Sequence, residues 1–243
     1  MLSEVSLVSR TGAQPALCAL ALLDGRPESA LRLREEGRAA QSRSLAALAL
    51  GTALSFARDW HSQGLEEAGL GEDVELHIKE LPVSYSKAQE LVVSLWKTFR
   101  PQLAVHVGIA PGCRAIMVEQ SGKNQAYKER DVRGVCPANY CCIEGGPERI
   151  DSVIDMKSLT RHLRKLGLDI IYSRDAGRYL CDFVYYTSLY HSSGRAALIH
   201  IPTSGSLTAT GRLLPSLKTI IQTMLQQIEE TMCFSSQHIQ DRL

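Results

Sequence analysis

Cys181 and His200 are the two residues whose types and spacing suggest nucleophilic chemistry. Cys181 follows Asp175-Ala-Gly177, which opens a predicted helix, and the free N–H groups and dipole of a helix start favour an anionic sulfur. His200 interrupts an apolar stretch just before Pro202, nineteen positions after Cys181. A helix and a returning parallel strand need about that many residues and bring both ends to one rim of a sheet, where ligands bind. The pair is therefore a candidate thiol nucleophile with its general base.

A third group would have to orient the imidazole, and three acids are candidates for this role. Glu119 follows a short apolar run, whereas Asp175 and Asp182 flank Cys181. A carboxylate in this position fixes the tautomer of the histidine and stabilises its charged form. Spacing alone does not choose among the three acids. Pattern alone also favours the plainer alternative that Cys181 and His200 are packing residues, because buried cysteine is common.

The elements that must position these candidates are predicted from the alternation of apolar runs with helical periodicity after Gly71. Strands are predicted at Val74–Val83, Leu103–Ala110, Leu168–Tyr172 and Ala196–Ile201. Helices are predicted at Ser84–Arg100, Asp155–Leu166, Gly177–His191 and Leu213–Met232. We expect the segment Arg114–Pro147 to be irregular. The order predicts an α/β fold with a mainly parallel sheet and helices on both faces, a three-layer α/β/α arrangement.

The composition is that of a globular chain of ordinary charge. Of the 243 residues, 44% are hydrophobic and 22% are charged, and the net charge is +1. This leaves no excess charge for binding a nucleic-acid backbone or an anionic membrane, and no apolar run approaches the roughly 18 to 20 residues that span a bilayer. We therefore predict neither nucleic acid nor membrane as a partner. Seven cysteines, an odd number, indicate reduced thiols and predict a cytosolic location.

Cofactor sites are not indicated by the sequence. Cys136, Cys141 and Cys142 do not form the paired half-sites of a structural zinc site, even when His106 or His162 is added. The glycine-rich stretches lack the lysine and the Ser/Thr of a phosphate-binding loop. We therefore predict neither a metal nor an organic cofactor.

A change of composition divides the chain near residue 64. Residues 1–64 contain no Lys, Ile or Tyr, and the first of each is Lys79, Ile78 and Tyr85. The same segment is rich in Ala, Leu and Arg. We therefore predict two parts, a divergent N-terminal segment at residues 1–64 and an α/β domain at residues 65–243.

The surroundings of Cys181 resemble the catalytic segment of the pyroglutamyl-peptidase I family, and they resemble its vertebrate members most. The similarity extends from about Leu65 to about Leu225, and its most specific part is the segment around Cys181 with the step to His200. The motifs that carry it are Asp175-Ala-Gly-Arg-Tyr-Leu-Cys181-Asp-Phe, Leu81-Pro-Val83, Val105-His-Val-Gly108, Glu119 with Gly122 and Asn124, Cys136-Pro137, Cys141-Cys142 and Gly167-Leu-Asp169.

The resemblance implies a cysteine peptidase that removes N-terminal pyroglutamate from peptides. The family's triad of Glu, Cys and His matches Glu119, Cys181 and His200 in this chain order. It implies that the thiolate attacks the pyroglutamyl carbonyl, that the histidine transfers the proton to the leaving amine, and that the glutamate orients the histidine. It also implies peptide substrates, no metal or organic cofactor and a cytosolic location. The resemblance allows monomers as well as tetramers, and we predict a monomer.

The chain departs from the family at its N-terminus. The family begins with a strand that runs into a Gly-Phe-Gly-Pro-Phe loop around the lactam ring, and none of the four Phe residues here stands beside a Gly-Pro pair. The family's first strand is therefore in doubt. Either Glu4–Ser9 with Thr11-Gly12 supplies a substitute strand and turn, or the leading segment is poorly ordered or helical.

Three functions follow from this departure as alternatives. The chain is an active pyroglutamyl peptidase, or it is a catalytically impaired homologue that acts as a binding or regulatory module. In the third alternative, residues 1–64 form a separate adaptor or targeting segment with its own partner.

Overall fold

The computed structural model describes residues 3–10, 17–23, 70, 74–110, 113–202 and 211–240. Its strands are β1 Ser3–Arg10, β2 Leu17–Leu23, β3 Val74–Pro82, β4 Leu103–Ala110, β5 Ile116–Glu119, β6 Ser121–Lys123, β7 Arg149–Asp151, β8 Ile170–Ser173 and β9 Ala196–Pro202. Its helices are α1 Tyr85–Phe99, α2 Met156–Lys165, α3 Leu180–Ser192 and α4 Leu213–Gln240, with a short 3₁₀ turn at Ala138–Tyr140.

A seven-stranded sheet forms the centre of the fold, with strand order β1-β3-β2-β4-β9-β5-β8 and a further pairing between β1 and β4. The middle of the sheet is parallel, because β4 pairs in parallel with both β2 and β9. The continuous apolar sequence of β4 and β9 reflects burial on both faces. Helices flank this sheet, and the predicted three-layer α/β fold is confirmed.

The prediction of an irregular segment over Arg114–Pro147 is wrong at its beginning. Residues Ile116–Glu119 form β5, which runs antiparallel to β9 and parallel to β8. The next residues, Ser121–Lys123, form β6, which pairs with β7 in a separate two-stranded sheet. β5 has only four residues, so its apolar run is too short for periodicity to distinguish it from a loop.

The N-terminal segment contributes two strands to the main sheet. β1 lies antiparallel to β3 and β4, and β2 lies parallel to the same two strands. The predicted strand at Glu4–Ser9 is therefore present as β1. The predicted turn at Thr11-Gly12 and the predicted boundary near residue 64 lie outside the described residues, so the two-part division stays a prediction.

The helix that carries Cys181 begins later than the sequence predicts. α3 starts at Leu180 rather than at Gly177, whose φ of 84° lies in the left-handed region that a helix excludes. Almost every residue of α3 is buried, because the helix packs between the sheet and α1. Among the described helices, none combines the length and the apolar character needed to cross a bilayer.

A buried polar network joins β4 to the helices above it. His106 Nε2 lies 2.6 Å from Ser188 Oγ, which also accepts a hydrogen bond of 3.2 Å from Trp96 Nε1. Burial lowers the pKa of His106 to about 3. Below about pH 6.5 the imidazole is therefore protonated in the unfolded chain but not in the folded chain. The free energy of unfolding decreases as the pH falls below that value.

We expect this histidine to make the protein sensitive to acid. Between about pH 6 and pH 4 its contribution should lower the free energy of unfolding by up to about 1.4 kcal/mol per pH unit. Urea unfolding across this range measures how steeply the free energy of unfolding changes with pH. Subtracting the slope of His106→Gln gives the part that belongs to His106. Other groups also titrate here, such as Asp182, whose pKa is raised by burial to about 7. Parallel slopes in the two proteins would contradict the assignment.

Candidate active site

Three of the predicted site residues meet on the face of the sheet that α3 covers. Cys181 lies in the first turn of α3, His200 lies near the end of β9, and Glu119 is the last residue of β5. All three are buried, with exposed fractions of 2%, 6% and 0% for Cys181, His200 and Glu119. The site is thus built by one helix start and two neighbouring strands.

The antiparallel pairing of β5 with β9 brings the glutamate to the histidine. Met117 lies opposite His200 and Glu119 lies opposite Leu198, so Glu119 and His200 are diagonal neighbours on one face. Glu119 Oε1 lies 3.0 Å from His200 Nδ1. Glu119 Oε2 is buried and has no hydrogen-bond partner among the described residues. The carboxylate therefore contacts the imidazole through one of its two oxygens.

The other side of the imidazole faces the thiol. Cys181 Sγ and His200 Nε2 both border the space beside Gly108, and because Nδ1 is engaged by Glu119, Nε2 is the nitrogen that faces the thiol. Burial alone would lower the pKa of His200. The interactions with Cys181 and Glu119 outweigh the effect of burial, and the pKa is raised to about 10. The imidazole is therefore held as a cation at neutral pH, between a sulfur and a carboxylate.

The two alternative acids lie elsewhere. Asp175 is exposed and pairs with Lys123 Nζ at 3.3 Å and with Arg178 Nη1 at 2.9 Å. Asp182 is buried, and its carboxylate accepts hydrogen bonds from Tyr127 Oη at 3.0 Å and from Arg178 and the Lys123 N–H at 3.3 Å. Of the three candidate acids, Glu119 is the one that the fold brings to His200.

Two of the other described cysteines, Cys136 and Cys142, take part in contacts away from His200. The Cys136 thiol donates to the Lys128 carbonyl at 3.3 Å, and the Cys142 thiol donates to the Phe183 carbonyl at 3.3 Å. Within the described ranges, no group of three or more His, Cys, Asp or Glu side chains is arranged to hold a metal ion.

Gly108 is a site residue that the sequence analysis did not assign a role. It pairs with His200 across the parallel strands β4 and β9. A Cβ at this position would lie 2.9 Å from Cys181 Sγ and 3.1 Å from His200 Cδ2, closer than carbon normally approaches. The absence of a side chain at Gly108 therefore makes room for the thiol and the imidazole. The signals in the sequence are a glycine near the end of an apolar strand and its place in the Val105-His-Val-Gly108 motif.

Gly108→Ala is expected to displace the thiol or the imidazole and to lower kcat roughly 100-fold. Hydrolysis rates and thermal unfolding of the purified variant test this. The matched control is Gly122→Ala, whose Cβ would lie 3.0 Å from Tyr186 Cα, against the same helix but more than a turn beyond Cys181. Equal losses of kcat in the two variants would show that Gly108 has no special relation to the thiol and the imidazole.

Comparisons with known proteins show the family to which the chain is similar. A sequence model of the pyroglutamyl peptidase family matches residues 62–233. Human pyroglutamyl-peptidase 1 is 46% identical over 171 residues, which cover 70% of this chain and 82% of the human protein. The human pyroglutamyl-peptidase 1-like protein is 43% identical over 166 residues, which cover 68% of this chain and 85% of that protein.

Solved structures give the same result for the fold. A mutant pyrrolidone carboxyl peptidase from Pyrococcus furiosus superposes with a TM-score of 0.55 and 26% identity, over 62% of this chain and 82% of that chain. The predicted family is thereby confirmed. On the extent of the match to the family's sequence model and to its human members, this chain belongs to the pyroglutamyl peptidase family.

Proposed function

We propose that this chain is a thiol peptidase that removes N-terminal pyroglutamate from peptides. In this proposal Cys181 is the nucleophile, His200 is the general acid and base, and Glu119 orients His200. The observation that carries the proposal is the buried imidazole that binds Glu119 through Nδ1 and Cys181 on its other side. The relatives named pyroglutamyl-peptidase support the substrate class.

In the first half of the proposed reaction, the Cys181 sulfur attacks the carbonyl carbon that joins pyroglutamate to the next residue. The carbonyl π electrons move to oxygen and give a tetrahedral oxyanion. The N–H of Cys181 belongs to the first turn of α3, where N–H groups have no carbonyl partner within the helix, and is a suitable donor to that oxyanion. The C–N bond then breaks, and His200 gives its proton to the leaving amine.

The second half restores the enzyme. A water molecule attacks the thioester while His200 accepts its proton, and the C–S bond breaks to release pyroglutamate and the thiolate. Glu119 keeps the imidazole in one orientation and stabilises its cation in both halves. Atoms and charge balance with water as the only co-reactant.

The N-terminal strands are part of this proposal because the family's aromatic loop is missing. β2 ends at Leu23 beside Pro82 at the end of β3. We propose that residues 1–64 replace the family's leading strand and loop next to β4, and that residues 65–243 carry the triad. Limited proteolysis followed by activity measurement tests this, because a trimmed core with full activity would exclude a role for the segment.

The state of the thiols bears on the cellular location. We propose a cytosolic location with reduced cysteines, supported by the five unpaired cysteines among the described residues, Cys113, Cys136, Cys141, Cys142 and Cys181. We also propose that the chain is a monomer. Thiol titration of the denatured protein and light scattering of the native protein measure the two properties. Disulfides after isolation without reductant, or a stable oligomer, would contradict the proposal.

A panel of amide substrates tests the specificity. Purified full-length chain should release a fluorescent amine from a pyroglutamyl amide, and much more slowly from the matched prolyl and glutamyl amides. The prolyl compound lacks the lactam carbonyl, and the glutamyl compound lacks the ring. Equal rates on all three compounds would contradict a pyroglutamyl-specific site.

A further inference from the structure

Tyr185 connects two elements of the triad without touching the reacting atoms. It lies four residues after Cys181 on α3, so the two side chains project from the same side of the helix. Its side chain is fully buried, and its hydroxyl donates a hydrogen bond of 2.9 Å to the backbone carbonyl of Glu119. This hydrogen bond thus links α3, which carries the thiol, to β5, which carries the carboxylate.

We propose that Tyr185 is a positioning residue that fixes Glu119 against His200 through this hydrogen bond. The contacts form a closed circuit, from Cys181 to His200, from His200 to Glu119, from the Glu119 carbonyl to Tyr185, and back to Cys181 along one turn of α3. The role depends on the proposed function of the triad.

The need for such a tie comes from the side chain of Glu119, because the backbone of this residue is already paired with Ser173 of β8 and Leu198 of β9. β5 has four residues, and Glu119 is its last. The carboxylate has one hydrogen bond, to His200, while its second oxygen is buried without a partner among the described residues. A buried carboxylate oxygen without a partner lowers its free energy by moving toward another hydrogen-bond donor or toward water. Tyr185 adds a hydrogen bond to the Glu119 carbonyl where β5 ends, and so restrains the residue beyond its pairing with β8 and β9.

The phenol is suited to this role because it remains a donor. Burial, together with the nearby charge of Glu119, raises the pKa of Tyr185 well above its ordinary value, against a smaller lowering by a hydrogen bond with Ser152. The hydroxyl therefore keeps its proton over the pH range in which His200 changes charge.

Tyr186 offers a matched control at the next position. It is also fully buried, and its hydroxyl donates a hydrogen bond of 2.7 Å to the Pro147 carbonyl. Tyr185→Phe and Tyr186→Phe therefore remove the same atom and the same type of hydrogen bond from one helix. Only the first change breaks the connection to Glu119.

The test compares the two variants in kinetics and in thermal unfolding. Both should lose a few degrees of melting temperature. Tyr185→Phe should lower kcat for a pyroglutamyl amide roughly 10-fold with little change in KM. The alkaline limb of the pH profile of kcat should move to lower pH in this variant, because Glu119 stabilises the His200 cation less. Tyr186→Phe should keep kcat within about twofold. Equal kcat and equal pH profiles in the two variants would overturn the proposal.

A second readout separates this proposal from the proposed function. The titration of the His200 imidazole, followed by NMR and assigned with His200→Gln, does not depend on turnover. Tyr185→Phe should lower the pKa of His200 relative to the wild type, and Tyr186→Phe should leave it unchanged. An inactive wild type with this pattern would reject the peptidase function alone, whereas an unchanged titration in Tyr185→Phe would reject the positioning role.

Discussion

Cys181→Ala is expected to lower kcat/KM for a pyroglutamyl amide by at least about 10⁴-fold, to little more than the rate in buffer. The variant removes the only sulfur that the fold places against His200 among the described cysteines. No other group can then form the acyl intermediate, so the whole covalent route is lost. Steady-state release of the fluorescent amine measures the effect.

Cys142→Ala is the matched control for this experiment. Cys142 is also buried on the α3 side, where its sulfur lies 3.2 Å from Thr187 Oγ1. Burial raises the pKa of its thiol above the ordinary value, so it is an inert packing thiol. We expect this variant to lose some thermal stability and to keep kcat/KM within a few-fold. The account would be wrong if Cys142→Ala were inactive while Cys181→Ala retained its activity.

Glu119→Gln is expected to lower kcat by roughly 10³- to 10⁴-fold while the protein stays folded. The amide has nearly the shape of the carboxylate but presents no charge to the imidazole. It can hold His200 through Nδ1, yet it does not stabilise the imidazolium cation. Kinetics and thermal unfolding are measured together, and Glu148→Gln, the same change at an exposed position, is the control.

The pH dependence of the same variant gives an independent check. In the wild type the pKa of His200 is raised to about 10, so the folded protein keeps a proton that the unfolded chain loses near pH 6.5. This contributes stability that is complete below about pH 6.5 and is lost as the pH rises toward 10. In Glu119→Gln the pKa should fall, and the alkaline limit of kcat/KM should move to lower pH. An unchanged limit would mean that another group determines it.

The sequence was sufficient to predict four strands of the main sheet, the four described helices and the approach of Cys181 to His200. These depend on local signals, namely the apolar strands Leu103–Ala110 and Ala196–Ile201 and the length of chain between the two residues. A parallel crossover of that length can follow few chain paths. The spacing between Cys181 and His200 was therefore enough to predict that they lie close together.

The acid of the site could not be chosen from spacing because its position depends on β5. A four-residue strand antiparallel to β9 carries no periodic signal, and without it nothing relates Glu119 to His200. The ion pair of Asp175 with Lys123 is equally non-local. The tight packing at Gly108 was missed for the same reason, since it arises only when β4, β9 and α3 are brought together.

The central claim is that Cys181 forms a covalent acyl intermediate with pyroglutamate, and mass spectrometry of the acid-quenched enzyme tests it most directly. The wild type, mixed rapidly with a pyroglutamyl ester or amide, should gain the mass of one pyroglutamyl group, and peptide mapping should locate it on Cys181. The adduct should be absent from Cys181→Ala and should form normally in Cys142→Ala. Product release with no adduct on Cys181, or an adduct that persists in Cys181→Ala, would contradict the account.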